Sequence, residues 1–383
     1  MRKALEGVRV LDLSHVWFGP FCTLLLAHMG AEVIKIEPPW GDRTRMFPPL
    51  HKRESPTFQV LNLGKKGMTL NLKHPKGKEI FKELVKISDI VVENFTPGTM
   101  KKLGLDYYTL KKIKPDIIYA SLSGFGQTGP YSPRPSFYSI AESISGHAYL
   151  TGRRVDPNGP PIGSPQAYGD LGPALFAAFS IVTALFYRER TGIGQWIDVA
   201  QADCMVALVA PAIANYTITG LTEEEREKKY PRMRGPGIGG FFKASDGWVT
   251  VLAGGGAFVD RINKLLGVKE VTKEMFQEWV SKRTVKEVVD TMVKLDVPVA
   301  PVLRIEQVVE NEHLKARNMF VEVEHPTLGK IKVPNFPVKF SETPGRVWGP
   351  APMLGQHNEE ILTKLLYYTP EQIEALRKEG VIT

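Results

Sequence analysis

The N-terminal half of the chain alternates two hydrophobic patterns. Short, nearly unbroken apolar runs at 8–13, 31–37, 89–94, 117–122 and 196–199 are rich in Val, Ile and Leu and predict strands. Between them, the apolar stretch that follows Gly19-Pro20 and closes at Gly30, and the amphipathic stretch 77–87, predict helices. A short extended pair surrounds Lys65-Lys66-Gly67, while 38–56 and 132–169 read as loops, the second with one short helix at 140–145. Strands apolar on both faces and alternating with helices belong to parallel sheets covered on both sides, so the fold expected is α/β with a Rossmann-like parallel sheet. The strongest helix runs over 173–190, opened by Gly172-Pro173 and closed by Gly192; it reads as a buried core helix.

The character shifts near 217–229, where Glu223 to Lys229 form a charged, solvated helix or connector. A glycine cluster, a strand near 248–251 and helices at 258–266, 273–281 and 285–295 follow, which predicts a smaller α+β domain. The tail carries two short helices at 359–366 and 370–378. The expected organisation is a large domain of 1–205 and 330–383, a small domain of 225–325, and linkers at 206–224 and 326–329.

Composition narrows the class. Hydrophobic residues at 43% and charged residues at 23% are those of a globular chain with a sizeable core, which excludes a disordered or fibrous protein. Two cysteines, Cys22 and Cys204, are too few for a disulfide scaffold or a four-cysteine zinc site, and a reducing cytoplasm is the simplest compartment. The net charge of +8 is spread among glutamates rather than gathered in the stripe that nucleic acid would need, so either a small phosphorylated ligand or simply a solvated charged surface accounts for it. The residues after Met1 carry no secretory apolar region, the run 174–187 is shorter than a membrane span, and no membrane partner is expected.

The chemistry-bearing motifs are few. The turn after the first strand reads Ser14-His15-Val16-Trp17-Phe18-Gly19-Pro20, which is neither a dinucleotide fingerprint nor a P-loop, although the helix start at Gly19-Pro20 can receive a phosphate. No H-E-x-x-H, Cys-x-x-Cys or G-x-S-x-G occurs, so neither a metal centre nor a serine hydrolase is expected. The segment from Gly163 to Pro173 sets one carboxylate, Asp170, among glycines just before the apolar helix. Small neighbours leave room for a substrate, and such a carboxylate serves either as a nucleophile or as a helix cap. Gly235, Gly237, Gly239 and Gly240 form either a mobile lid or an ordinary glycine-rich loop.

These motifs together resemble those of the family III CoA-transferases, which include formyl-CoA transferase, carnitine CoA-transferase and α-methylacyl-CoA racemase. The resemblance runs almost end to end: LEGVRVLD at 5–12, GAEVIKIEP at 30–38, DIVVENF at 89–95 with Pro97-Gly98, SGFG at 123–126, Gly169-Asp170, GIGQWID at 192–198 and APMLGQH at 351–357. It implies an interlocked homodimer whose subunits each pair a Rossmann-like large domain with a small domain. It implies that Asp170 is the nucleophile, carrying CoA from an acyl-CoA donor to a small carboxylic acid without a metal. Matching CoA-binding positions are Val16, Leu70, Lys73, Asn94, Phe95 and Lys102.

Departures from the pattern shape the expectation. Formyl-CoA transferases carry arginine where this chain has Pro38, and Arg43 or Arg45 is the expected replacement phosphate contact. They carry glutamine at Trp17 and tyrosine at Thr57, so oxalate and formate are not the expected substrates; succinyl-CoA is the donor suggested by family habit. The racemases carry a catalytic histidine where this chain has Phe137, which moves no proton. His15, Trp17, Phe137 and Tyr138 are expected at the acyl pocket, with the lid at 235–240. A racemase-like isomerase and a non-catalytic CoA-binding protein remain the alternatives.

Overall fold

The structure is a computed structural model and describes residues 3–230 and 237–383. Strands β1 (Arg9–Asp12), β2 (Glu32–Glu37), β3 (Lys66–Thr69), β4 (Ile90–Glu93), β5 (Ile118–Ser123) and β6 (Trp196–Ala200) form one six-stranded sheet in the order β3-β2-β1-β4-β5-β6, all parallel. This is the doubly wound order: the chain winds outward from β1 to β3, then returns to the other side of β1 to begin again at β4. Strands β1, β2, β4, β5 and β6 overlap the apolar runs that predict them, and β3 falls on the short extended pair expected around Lys65-Lys66-Gly67.

Helices α1 (Phe18–His28), α2 (Pro56–Leu61), α3 (Pro75–Lys86), α4 (Thr99–Leu103) and α5 (Tyr107–Lys111) connect the strands up to β5. Helices α6 (Tyr138–Ile144), α7 (His147–Val155) and α8 (Tyr168–Thr191) lie between β5 and β6, and α9 (Gln201–Leu208) continues directly from β6. Each face of the sheet has its own core. On one, Phe18, Cys22 and Leu26 of α1 meet Ala174, Ala177, Ile181 and Ala184 of α8 over Val10, Val92 and Ile118. On the other, Ile80, Phe81 and Leu84 of α3 join Ile361, Leu362, Ile373 and Leu376 from the C-terminal segment. The tail therefore returns to the sheet with which the chain begins.

The chain divides into two compact units, one of residues 1–210 with 318–383 and one of 211–317. Helix α10 (Ala210–Thr219) and helix α11 (Glu223–Lys229), the latter opened by a Thr222–Glu225 capping box, precede the sheet of the second unit. That sheet is β7 (Ile238–Lys243), β8 (Trp248–Ala253) and β9 (Val299–Pro301), antiparallel throughout, over a core shared with α12 (Ala257–Leu266), α13 (Lys273–Ser281) and α14 (Val285–Lys294).

Four expectations are corrected. Helix α8 begins at Tyr168, so Asp170 lies inside its first turn rather than ahead of it. The helix is under way before Pro173, because the amides of Asp170 and Leu171 both reach the Ala167 carbonyl at 2.9 Å. Nor is α8 buried all round: small residues line its inner face, while Leu175, Phe179, Val182 and Phe186 are exposed in this chain. Finally, Gly239 and Gly240 are not loop residues. They pair with Leu252 and Val251 in the β7–β8 ladder, where backbone hydrogen bonds fix them. Gly237 immediately precedes that strand, and Gly235 lies outside the described residues. The stretch 132–169 also holds a second helix, α7, beyond the one expected.

Candidate active site

A parallel sheet brings the carboxyl ends of its strands to one side, and a doubly wound order opens a crevice where the winding reverses. Here that point lies between β1 and β4. The loop after β1 supplies His15, Val16 and Trp17, and the loop after β4 supplies Asn94 and Phe95. The register that sets Ser123 beside Ala200 places Gly124 and Gln201, the next residues of β5 and β6, at the same rim. These residues, with Phe18, Leu122, Ser123, Ser136, Phe137 and Asp170, line a cavity of about 160 Å³.

The β1 loop is held from two sides. Asn94 Oδ1 accepts the His15 amide and Asn94 Nδ2 donates to the His15 carbonyl, both at 2.8 Å. Val16 has φ of +69°, a strained conformation for a β-branched residue, and its N–H points at the Asp42 carboxylate at 3.3 Å. Asp42 is itself buried, bound by Lys35 Nζ at 3.0 Å and by the Thr44 amide and hydroxyl. Beneath the loop, Asp12 accepts from Lys65 Nζ at 3.0 Å, from the Thr23 hydroxyl at 2.6 Å and from the hydroxyl of Ser14. Its carboxyl is held well below the usual range: burial opposes ionisation, but Lys65 and Lys35 outweigh it. His15 stands 3.7 Å from Asp42, and burial, then the charge of Lys35, lower its pKa, so the ring is neutral near pH 7.

Asp170 is 5% exposed and accepts a hydrogen bond from Gln201, while neighbouring groups fix the start of its helix. Glu142 of α6 accepts the Gly169 amide at 3.0 Å and both the amide (3.0 Å) and hydroxyl of Ser164, pinning the start of α8. Gly169 is required there, because a Cβ would lie 2.2 Å from the Tyr138 carbonyl oxygen. Gly124 is equally constrained, with a Cβ position 2.1 Å from that of Ser136. From the end of β6, Gln201 Nε2 donates to Asp170 Oδ1, and its Oε1 accepts from the Ser136 hydroxyl at 3.3 Å. Burial pushes the Asp170 carboxyl up to about 7; the Gln201 hydrogen bond pulls against this and the Glu142 charge adds to it. A carboxylate of that basicity, half ionised at neutral pH and open to a cleft, is fit for nucleophilic attack on an acyl carbon.

Of the residues singled out from the sequence, Asp170, His15, Val16, Trp17, Asn94, Phe95 and Phe137 meet around this one cavity. Tyr138 contributes its carbonyl to the contact with Gly169. Lys73, Lys102 and Arg43 are exposed on the loop after β3, on α4 and on the 3₁₀ turn Arg43–Met46. Leu70 is 1% exposed in the core, so only its backbone is placed to meet a ligand. Arg45 is no replacement phosphate contact, because Glu37 holds its Nε at 2.8 Å and its Nη2 at 2.6 Å. Sequence reasoning missed Glu142, Ser136 and Gln201. The one signal for Gln201 is its place immediately after a strand of a parallel sheet.

A model of CoA-transferase family III matches residues 5–358. The chain is 36% identical over 401 residues to succinyl-CoA:glutarate CoA-transferase of Mus musculus, an alignment covering 99% of this chain and 90% of that protein. It is 35% identical over 403 residues to the succinyl-CoA–L-malate CoA-transferase beta subunit of Chloroflexus aurantiacus, covering 99% and 98%. To formyl-CoA:oxalate CoA-transferase of Streptomyces coelicolor it is 33% identical over 416 residues, covering 99% of each. Among solved structures, a CAIB/BAIF family protein from Brucella suis matches with a TM-score of 0.85 at 28% identity, covering 95% of this chain and 100% of that one. Similarity along nearly the whole chain, joined to a doubly wound sheet, makes this protein a member of CoA-transferase family III.

Proposed function

We propose that the protein moves CoA from an acyl-CoA to a small carboxylic acid through covalent attachment at Asp170. The observation that carries this reading is a single buried carboxylate, raised to about 7, at the switch-point crevice of the sheet. Asp170 Oδ2 attacks the thioester carbonyl and expels CoA thiolate, giving a mixed anhydride. The thiolate then attacks Asp170 Cγ, the donor acid leaves with Oδ2, and an aspartyl-CoA thioester remains. The acceptor carboxylate attacks Cγ in turn and expels the thiolate, which finally attacks the new acyl carbon and restores the aspartate. Each step exchanges one activated acyl bond for another, so no external energy source is required.

Coenzyme A is then a substrate. Its thiol arm fits the crevice at Val16, Asn94 and Phe95, and the exposed cations Arg43, Lys73 and Lys102 suit its phosphates. Succinyl-CoA is the first donor to try, since relatives are named for it. Phe137 at the crevice supports transfer over racemisation, because it supplies no base for an α-proton. A homodimer is supported by the exposed apolar face of α8, with Phe179 72% and Phe186 58% exposed in one chain. A reducing, cytoplasmic setting accords with both cysteines being free.

The test is peptide mass spectrometry of protein quenched rapidly after mixing with a panel of acyl-CoAs that includes succinyl-CoA. A CoA adduct on the Asp170 peptide, or a hydroxamate there after hydroxylamine trapping, is the expected result, and the best-labelling thioester identifies the donor. CoA binding without any adduct across the panel overturns the reading.

A further inference from the structure

Gln201 is 4% exposed, follows β6 directly and is held in one orientation. Its Oε1 accepts from Ser136, which turns its NH2 group onto Asp170 Oδ1. With Asp170 ionised, the form that attacks, the reverse orientation would set an amide oxygen against a carboxylate, two acceptors with no proton between them. One carboxylate oxygen of Asp170 is thus already met by a fixed, neutral donor before any substrate arrives.

We propose that Gln201 is a second catalytic residue, the oxyanion donor for every step in which the carbonyl carbon of Asp170 is attacked. This rests on the aspartyl reading above and deepens it. When Oδ2 has attacked the substrate, Oδ1 becomes the carbonyl oxygen of the anhydride and then of the aspartyl thioester. Attack at Cγ by CoA thiolate, and later by the acceptor carboxylate, moves an electron pair onto Oδ1. The Nε2–H of Gln201 lies at that oxygen throughout, so its hydrogen bond strengthens as charge develops and no group has to move. The collapse of each tetrahedral species returns the pair to the C–O bond as the leaving carboxylate or thiolate departs. A neutral amide suits both demands on the site. A cation at the same place would stabilise the oxyanion but would also strip the resting carboxylate of the basicity that burial gives it.

The test compares native protein with Gln201→Leu and with Gln201→Glu, which retains the shape of the side chain but has no N–H. The acyl-CoA that labels Asp170 best is used with a saturating carboxylic acid acceptor. Three quantities are read: kcat and KM, the pH profile of kcat/KM, and the decay of a preformed aspartyl-CoA adduct when acceptor is added. Loss of the donor is expected to lower kcat and the adduct decay rate by about 10²–10³-fold. The KM for acyl-CoA stays within about threefold, because ground-state binding does not use the contact. The acid limb of the pH profile moves to higher pH in Gln201→Leu, because the hydrogen bond that favours ionised Asp170 is gone. Adduct decay at the native rate, or a loss expressed wholly in KM with an unmoved acid limb, overturns the proposal while leaving the aspartyl reading intact. Failure of native protein to label at Asp170 overturns both, and is seen before any variant is made.

Discussion

The Asn94 carboxamide binds both backbone groups of His15, accepting its N–H and donating to its C=O at 2.8 Å across 79 residues of sequence. This one side chain ties the loop after β1 to the loop after β4, the two walls of the crevice. Replacing it with Ala leaves two part-buried polar groups of the His15 backbone without partners, at a cost of about 1–3 kcal/mol. Asn94→Asp keeps the acceptor and loses only the donor, so it is expected to be the milder change. Urea denaturation ranks the three proteins. An Asn94→Ala protein of native stability and native KM for acyl-CoA would show that the bridge does not shape the site.

The elevated pKa of Asp170 makes two pH predictions. Activity needs the carboxylate, so kcat/KM rises about tenfold per pH unit below about 7 and levels above it. Stability runs the other way. A carboxyl whose pKa is raised on folding from 3.8 to about 7 contributes stability at low pH, and that contribution disappears as pH rises through the folded value. Asp170→Asn should therefore gain on the native protein between pH 4 and pH 8, by up to a few kcal/mol. Glu93, raised to about 7 chiefly by burial, is present in both proteins and cancels in the comparison. Melting temperatures at the two pH values decide it: a gap that does not widen with pH contradicts the assignment.

Two glycines of α8 only three residues apart, Gly169 and Gly172, should behave differently. At Gly169 a Cβ meets the Tyr138 carbonyl oxygen at 2.2 Å, and backbone has nowhere to go. At Gly172 it meets only ends of side chains, Leu208 Cδ1 at 3.0 Å and Met205 Sδ at 3.9 Å. Alanine is favoured over glycine in a helix by about 1 kcal/mol. Gly172→Ala is thus expected near neutral, whereas Gly169→Ala displaces α6 against α8 and costs about 1–3 kcal/mol with loss of turnover. Similar melting of the two variants would refute the contrast.

Cations near the strand ends separate into two kinds. Lys73→Ala and Lys102→Ala remove exposed charges and should raise the KM for acyl-CoA several-fold each, about 1 kcal/mol, with kcat unchanged and the effect fading in salt. Arg45→Ala should instead destabilise the fold by about 3–5 kcal/mol, because Glu37 is left buried without its partner. Steady-state kinetics at two ionic strengths, with thermal melts alongside, separate the outcomes. A pure KM effect at Arg45 would return it to the phosphate site.

Much of this was legible before the structure. Val10-Leu11, Val33-Ile34 and Val91-Val92 are consecutive buried apolar residues because a strand inside a two-sided parallel sheet buries both faces, and that pattern survives any change of partner. Asp170 stood out because glycines stand close on either side of it, and Asn94 and Phe95 because they match positions of the family motif. The exposed half of α8 was not legible, since Leu, Phe and Val read as core wherever they stand. Nor was the capping of α8: Pro173 marks a helix start by local rules, while the true start depends on Glu142, 27 residues upstream of Gly169.

The sequence by itself determined most of the elements, the parallel arrangement of the main sheet and the setting of Asp170 among glycines at the start of an apolar helix, because those follow from side-chain period and from residues adjacent along the chain. Only the tertiary structure decided which polar groups attend Asp170. Glu142 arrives from α6 and Gln201 from the end of β6, 31 residues beyond Asp170. Neither carries a local signature, because a hydrogen bond between distant segments depends on strand order and register. Those are set by packing of the whole sheet, and the basicity and partner of the carboxylate are set with them.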